Sequence, residues 1–205
     1  MDGKRRRTHR KGFAEFNLAE ALKLLQLNIL TPWKPEASPL PASELLEQHL
    51  QRVQETFATR SSEAGRVMIA DALLTEVGVR HTSLRIWKEA NLATDTLTGF
   101  ADYLVAPRRD YLETPLLCAV EAKKDDFEQG TAQCLAELHA CRWNNHKAEK
   151  LCDVYGIVTN GNTWQFYRYA LSGEVFETSP YSITDLPGLL GVLERIFAAC
   201  EAALS

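Results

Sequence analysis

The sequence predicts an α/β fold, in which helices flank a central mixed β-sheet of about five or six strands and a helical extension precedes it. Residues 116–120 form a continuous apolar run, which is typical of a strand buried on both faces. A helical pattern separates this run from the next apolar strand, so the two should pair in parallel through a crossover helix. Asn160-Gly161 lies between two strand-like runs and predicts an antiparallel hairpin over residues 153–169.

The N-terminal part of the chain predicts three helices. Asn17, followed by an acid three residues later, has the pattern of a capping box, and the Thr-Pro pair at residues 31–32 should end that first helix. The proline-rich stretch TPWKPEASPLPAS is typical of an ordered connector. A second helix should begin near Ser43, and a third should cover about residues 61–77.

The rest of the chain predicts the sheet and two further helices. The segments HTSLRIWKE, LTGFADYLV and PLLCAVEAK have the composition of strands, with a polar loop over residues 106–114 between the last two. A helix should cover residues 130–143, and a final helix should begin at Asp185. We therefore divide the single domain into a basic disordered tail (1–12), a helical extension (13–60) and an α/β core (61–205).

Three charged residues stand in the apolar strands of this core. Asp102 lies inside GFADYLV, and Glu121 and Lys123 end PLLCAVEAK. Strand side chains alternate between faces, so Glu121 and Lys123 share one face, and pairing with the Asp102 strand would gather all three. Two carboxylates and a backbone carbonyl suit Mg²⁺, and the lysine can orient a water or bind a phosphate oxygen. A buried carboxylate–lysine ion pair is the alternative interpretation.

This segment resembles the metal-binding core of the PD-(D/E)XK nuclease superfamily, with Asp102, Glu121 and Lys123 at the motif positions. The resemblance covers about residues 61–169 and implies a restriction-endonuclease-like core. Gln133, in the helix after the motif, resembles the glutamine of the RecB-like and type I restriction-subunit branches.

The sequence departs from the superfamily pattern at two positions. Ala101 stands where the motif has proline, and Glu137 stands where RecB-like members have tyrosine. The resemblance nevertheless implies an endonuclease-like, Mg²⁺-dependent phosphodiesterase that acts on DNA, with Mn²⁺ as a substitute. The residues that it implies for catalysis are Asp102, Glu121, Lys123 and Gln133, and those for the metal are Asp102, Glu121, Ala122 and Glu63.

Glu63 begins the helix that, by the same resemblance, carries an additional acidic residue. It shares a helical face with Val67 and Leu74, which favours an inward direction toward the metal. An acid in the first turn also interacts favourably with the helix dipole, which is the alternative explanation. Asp71 and Glu76 are rival candidates for the same role.

Candidate substrate contacts are basic. Arg108 and Arg109 lie in the polar loop and could contact a phosphate backbone, and Lys124 follows the motif lysine. Loop arginines are also commonly just solvated, which is the alternative. The net charge of the chain is −4, but residues 1–12 carry +5, so the remainder carries −9. An acidic body argues against broad non-specific binding to nucleic acid, although a local basic groove remains compatible with it.

The five cysteines include no Cys-x-x-Cys pair, and we interpret them as reduced thiols of a cytoplasmic protein. A zinc site built from Cys134, Cys141, Cys152 and the nearby histidines is a weaker hypothesis, because structural zinc sites use tight Cys pairs. No apolar run is long enough for a membrane span, so no membrane partner is expected. The expected partner is nucleic acid, in particular DNA.

Two alternatives to a free-standing nuclease stay open. The chain could be a catalytically silent nucleic-acid-binding or interaction module of the same fold. It could also work as a homodimer or as a subunit of a larger restriction or repair complex, in which a partner supplies DNA binding. Retention of Asp102, Glu121 and Lys123 together weighs against the silent module, because loss of any one would suffice to inactivate the site.

Overall fold

The computed structural model of the protein describes residues 10–59, 63–122 and 126–204, with Glu63 described by its backbone alone. Within these residues nine strands form one mixed sheet and five α-helices pack on it, which confirms the predicted α/β class. The sheet exceeds the expected five or six strands because it also contains three strands of only two or three residues each. Strands this short carry no readable periodicity.

The elements are numbered in chain order. The described strands are β1 Lys11–Gly12, β2 Thr31–Trp33, β3 Leu84–Ala93, β4 Leu97–Pro107, β5 Cys118–Ala122, β6 Val154–Thr159, β7 Thr163–Tyr169, β8 Val175–Thr178 and β9 Tyr181–Ser182. The described α-helices are α1 Leu18–Leu24, α2 Glu44–Thr56, α3 Glu63–Gly78, α4 Phe127–Lys147 and α5 Leu186–Ala202. Short 3-10 helices at Phe13–Glu15 and Ile183–Asp185 precede α1 and α5.

The strands follow the order β1-β4-β5-β6-β7-β8-β2, with β3 also paired to β4 and β9 to β7. β5 and β6 are parallel and α4 connects them, which confirms the predicted crossover. β6 and β7 form the predicted antiparallel hairpin, in which Val154 lies opposite Tyr169. The turn falls at Asn160-Gly161: Gly161 has a φ of +84°, and the Asn160 side chain accepts a hydrogen bond from the Thr163 backbone.

Hydrophobic cores lie on both faces of the sheet. In the first core, α2, α3 and α5 pack on one face, and in the second, α1 and α4 pack on the other. The contact between α4 and β6 is close, because a Cβ added at Gly156 would lie 2.7 Å from the Cys134 Sγ. Small residues of α4, including Ala132, Ala136 and Ala140, are fully buried in the second core.

Three predicted helix starts are confirmed. The side chains of Asn17, Ser43 and Asp185 cap α1, α2 and α5 by accepting hydrogen bonds from backbone N–H groups in the first turn. Asn17 also completes the capping box with Glu20. Residues 61 and 62, where the third helix was expected to begin, lie outside the described residues.

The N-terminal region is less helical than predicted. Lys11, placed in a disordered tail by the sequence, belongs to β1 and pairs with Leu97 of β4. The first helix ends at Leu24 rather than at residue 31, and Ile29, which lies beyond that end, is 74% exposed. The predicted connector starts with β2, which pairs in parallel with β8. The predicted helical extension and the predicted core therefore belong to the same sheet, because β1 pairs with β4 and β2 pairs with β8.

Several element boundaries also differ from those predicted. α4 extends beyond the predicted 130–143 at both ends, and β4 continues to Pro107, inside the predicted loop. No helix among the described residues is both long enough and apolar enough to cross a membrane.

Candidate functional site

At one point along the paired strands β3 and β4, the side chains exchange the two faces of the sheet to which they point. Before that point Ile86 of β3 packs in the first core, whereas Ala90 packs in the second, although an even separation should keep them on one face. The pairing has no bridge between Glu89 and Asp102, while the pairs on either side keep one register. Glu89 has a φ of +49°, which is uncommon for a residue other than glycine.

This irregularity sets the direction of Asp102. Tyr103 packs in the first core and Ala101 in the second, so the alternation of β4 breaks between them. Asp102 and Tyr103, although adjacent in sequence, consequently line the same cavity, whose volume is about 490 Å³. Without the reversal, consecutive residues of a strand would face opposite sides of the sheet.

Asp102 is bound to the neighbouring strand at the motif position. Its Oδ2 accepts a hydrogen bond of 2.7 Å from the backbone N–H of Ala122. The Asp102 carboxylate therefore lies at the peptide group that joins Glu121 to Ala122. β4 and β5 are antiparallel neighbours, as the convergence of the motif residues requires.

Glu121 is fully buried and is hydrogen-bonded to α4. The Gln133 side-chain nitrogen donates to Glu121 Oε2 at 2.6 Å and to Glu137 Oε1 at 3.0 Å. Glu137 is also fully buried, and Gln133 is nearly so. The amide of Gln133 thus links two carboxyl groups inside an otherwise apolar contact between helix and sheet.

The electrostatics of this group follow from its burial. Removal from water raises the pKa of Glu137 well above its usual range, and the nearby Glu121 carboxylate raises it further. The charge of Asp102 raises the Glu137 pKa as well.

The cavity beside Asp102 contains a further polar cluster. Lys88 Nζ contacts both carboxylate oxygens of Asp71, at 2.9 and 2.8 Å, and the Tyr103 hydroxyl donates to Asp71 Oδ1 at 3.1 Å. Desolvation raises the Tyr103 pKa above its usual range, so this hydroxyl stays a donor. Asp71, a lower-ranked acidic candidate in the sequence, thus shares the cavity of Asp102.

Of the other two acidic candidates, Glu76 has a structural role and the Glu63 side chain is not described. Glu76 accepts hydrogen bonds from the backbone and hydroxyl of Ser43, so it ties α3 to the start of α2. The Glu63 side chain, Lys123 and Lys124 lie outside the described residues, and their assigned roles stay predictions.

Arg108 and Arg109 lie well away from Asp102. They follow β4, about 20 Å along the strand direction at a rise of roughly 3.3 Å per residue. There they line a separate cavity of about 610 Å³ together with Lys150. Arg109 forms an ion pair with Glu113 at 3.3 Å. Their predicted contact with substrate stays a prediction, and it would fall at the far end of β4 from the motif.

The cysteines of the weaker zinc hypothesis are free thiols in the structure. Cys134 and Cys141 are buried in the second core, and Cys152 is half-buried beside Asn145. Burial raises the pKa of each of these three thiols. Across residues 10–59, 63–122 and 126–204, no three His, Cys, Asp or Glu side chains form a group suited to a metal ion.

The donor atoms at the motif nevertheless fit Mg²⁺. Asp102, Glu121 and the Ala122 peptide offer oxygen atoms alone, and Mg²⁺ is commonly held by one or two carboxylates while it keeps several waters. Two buried oxygens nearby, Gln133 Oε1 and Glu137 Oε2, have no hydrogen-bond partner among the described residues. The oxygen donors of Asp102, Glu121 and the Ala122 peptide suit a hard cation rather than zinc or copper.

Comparison with protein-family models and with curated proteins finds no match to this sequence. The assignment of the site therefore depends on its residues and their geometry.

Sequence reasoning missed two features of the site. Lys88 and Tyr103 carry no motif signal, since each looks like an ordinary strand residue. Gln133 and Glu137 are one helical turn apart on the helix expected to pack behind Glu121, but the sequence did not predict that Glu137 is buried and shares the Gln133 amide with Glu121. That spacing, read together with the buried Glu121, was the available signal.

Proposed function

We propose that the protein is a metal-dependent nuclease that hydrolyses phosphodiester bonds in DNA. Asp102 and Glu121 would hold Mg²⁺, with Mn²⁺ as a substitute and the Ala122 carbonyl as a further ligand. A bound divalent ion supplies an acidified water and neutralises charge that develops on a phosphoryl group. The choice of DNA rests on the superfamily resemblance of the motif.

The chain's own residues have separate roles in this scheme. Lys123 orients the attacking water or binds a phosphate oxygen as a point charge. Gln133 holds the Glu121 carboxylate by a hydrogen bond, and Glu63 supports the metal from α3. The half-buried Asp102 faces an open cavity, which gives a phosphate group access to the site.

The observation that carries the proposal is the hydrogen bond from the Ala122 N–H to Asp102 Oδ2. This hydrogen bond places Asp102, from the middle of β4, beside the end of β5 that carries Glu121. The two acids are those of the Asp…Glu-x-Lys motif. Asp102 thus meets β5 at the peptide N–H that directly follows Glu121, whose own carboxylate is held by Gln133 of α4.

The test is digestion of plasmid, linear duplex DNA, single-stranded DNA and RNA in Mg²⁺ or Mn²⁺. We expect the wild-type protein to cut DNA and EDTA to stop it. Asp102→Ala should lower the rate by at least about a hundredfold, because catalysis by a metal centre requires its ligands. Absence of cleavage of every substrate, in Mn²⁺ as well, would rule out the free-standing nuclease.

A matched variant guards against a contaminating nuclease. Asp95 is an exposed acid in the turn between β3 and β4, and its carboxylate contacts Lys147 at 3.4 Å. Asp95→Ala removes the same charge from the same hairpin and should cut at the wild-type rate. Equal residual cleavage in Asp102→Ala and wild type would point to contamination.

The charge distribution of the chain favours a second candidate function, in which the protein is a subunit that depends on a partner for DNA binding. Residues 13–205 carry a net −9, and Arg108 and Arg109 lie at the far end of β4 from Asp102. Weak retention of DNA by the lone chain is expected on this basis. Gel-shift titration over a range of salt measures it, since each phosphate contact steepens the loss of affinity with salt.

A further inference from the structure

Neither the motif nor the resemblance explains why a second carboxyl group, that of Glu137, is buried beside Glu121 and Gln133. Glu121 and Glu137 are 0% exposed and Gln133 is 4% exposed, where α4 packs on the sheet largely through apolar residues. A buried carboxyl group costs free energy unless its hydrogen bonds are made. An apolar residue at position 137 would avoid that cost and still pack against the sheet.

The hydrogen bonds indicate what Glu137 does. An amide side chain presents two N–H donors on one side and an oxygen on the other, and it can turn over to exchange them. Gln133 directs its nitrogen to Glu121 Oε2 at 2.6 Å and to Glu137 Oε1 at 3.0 Å. With both N–H groups accepted, the amide is held in the orientation that donates to Glu121. In the reversed orientation, the Gln133 oxygen would face two carboxyl groups and be repelled.

We propose that Glu137 is a positioning residue, which acts through Gln133 to fix the orientation of the Glu121 carboxylate. Its effect reaches a metal ion only through Glu121, so Glu137 does not itself bind the ion. This inference rests on the proposed metal-dependent function for its consequence in catalysis. The hydrogen-bonded arrangement itself is independent of that function.

Two substitutions at position 137 separate positioning from charge. Glu137→Gln keeps an oxygen that accepts the second Gln133 N–H, whereas Glu137→Leu fills the space without an acceptor. Partners of a metal ligand typically contribute 10- to 100-fold to metal affinity, so we expect Glu137→Leu to weaken Mn²⁺ binding by about tenfold or more. Glu137→Gln should stay within about twofold of wild type, because the hydrogen bond survives.

Thermal unfolding without metal distinguishes positioning from a general structural role. Glu137→Leu should melt close to the wild-type temperature, because the free energy lost when the buried Gln133 N–H loses its acceptor is offset by removal of a buried carboxyl group from beside Glu121. Weaker Mn²⁺ binding together with an undiminished melting temperature supports positioning. Glu128→Leu is the matched control, because it makes the same replacement at an exposed position of α4 and should change Mn²⁺ affinity little.

The readouts are the dissociation constant of Mn²⁺, measured by electron paramagnetic resonance, and the proton shifts of the Gln133 side-chain amide. One amide proton should move upfield in Glu137→Leu, and both should hold their positions in Glu137→Gln. Unchanged amide shifts or unchanged Mn²⁺ affinity in Glu137→Leu would overturn the inference. Equal weakening in both variants would overturn it as well, since charge at position 137 would then matter directly. Wild-type protein that binds no Mn²⁺ refutes the proposed function, while the amide spectra still decide whether Glu137 holds Gln133.

Discussion

At the scale of single residues, the backbone conformation of β3 and β4 sets the direction in which the Asp102 carboxylate points. Glu89 adopts a left-handed conformation opposite Asp102, and the two strands reverse their faces there. A non-glycine residue held in this region costs about 1–3 kcal/mol, and such positions cluster at functional sites. The result is that Asp102 lines a cavity and meets the Ala122 N–H instead of entering the second core.

The roles proposed for Asp102 and Lys123 predict different mutant behaviour. At a metal concentration 100 times Kd, binding stabilises the folded protein by about 2.7 kcal/mol. For a domain of this size that corresponds to a rise in Tm of about 5–10 °C. Asp102→Ala should abolish this rise and cleavage together. Lys123→Ala should keep the rise and lose cleavage, because an ammonium group donates hydrogen bonds and cannot bind a cation.

Calcium provides a control for the same experiment. Its larger and more flexible coordination shell should raise the wild-type Tm without supporting cleavage, so wild type in Ca²⁺ should behave as Lys123→Ala does in Mg²⁺. If Lys123→Ala cuts DNA as fast as wild type, the role given to this lysine is wrong. If Asp102→Ala retains the full rise in Tm, the ion binds elsewhere.

At the scale of elements, α4 connects the candidate site to the start of β5. Its first half carries Gln133 and Glu137, and near its end the buried Asn145 side chain forms two bonds with the backbone of Leu116. The Leu116 N–H donates to Asn145 Oδ1 at 2.6 Å, and Asn145 Nδ2 donates to the Leu116 carbonyl at 2.8 Å. One helix therefore fixes both ends of the strand that carries Glu121.

We expect Asn145→Ala to destabilise the protein by about 2–4 kcal/mol, because it leaves a buried backbone donor and a buried acceptor of Leu116 without partners. Chemical denaturation measures the change. Asn91→Ala is the matched control, since Asn91 is an exposed residue of β3 and its loss should cost less than about 0.5 kcal/mol. Equal effects of the two substitutions would show that the Asn145 bonds contribute nothing net.

At the scale of the whole molecule, one sheet separates two cores and joins the N-terminal region to the rest. Lys11–Gly12 pairs with β4 near one edge, and Thr31–Trp33 pairs with β8 at the other. Buried thiols report on both cores: Cys118 and Cys200 lie in the first, and Cys134 and Cys141 lie in the second. Because strands common to both cores form the sheet, the two cores should unfold together.

Thiol labelling tests this cooperativity. In the native state the half-buried Cys152 should react first, because the other four thiols are buried and inaccessible to the reagent. As denaturant increases, those four should become reactive in one transition, at the midpoint seen by circular dichroism. Exposure of Cys134 and Cys141 before Cys118 and Cys200 would show that the second core opens separately.

Much of the architecture was encoded within short stretches of sequence. The apolar run at β5, the Asn160-Gly161 turn and the capping side chains of Asn17, Ser43 and Asp185 were each readable from a few neighbouring residues. Such features depend on interactions between residues three or four apart, or on the preferences of one residue type. For this reason the sequence by itself determined the α/β class, the crossover and the candidate motif of Asp102 and Glu121.

Only the tertiary structure decided how the distant parts meet. Short strands such as β1 and β2 form because a neighbouring strand offers unpaired backbone N–H and C=O groups. No local sequence pattern predicts such pairing. The reversal at Glu89, the meeting of Glu137 with Glu121 and the separation of Arg108 from the motif likewise depend on pairings between segments far apart in sequence. The free energy of such contacts is realised only when both partners are in place, so a single strand or helix cannot reveal them.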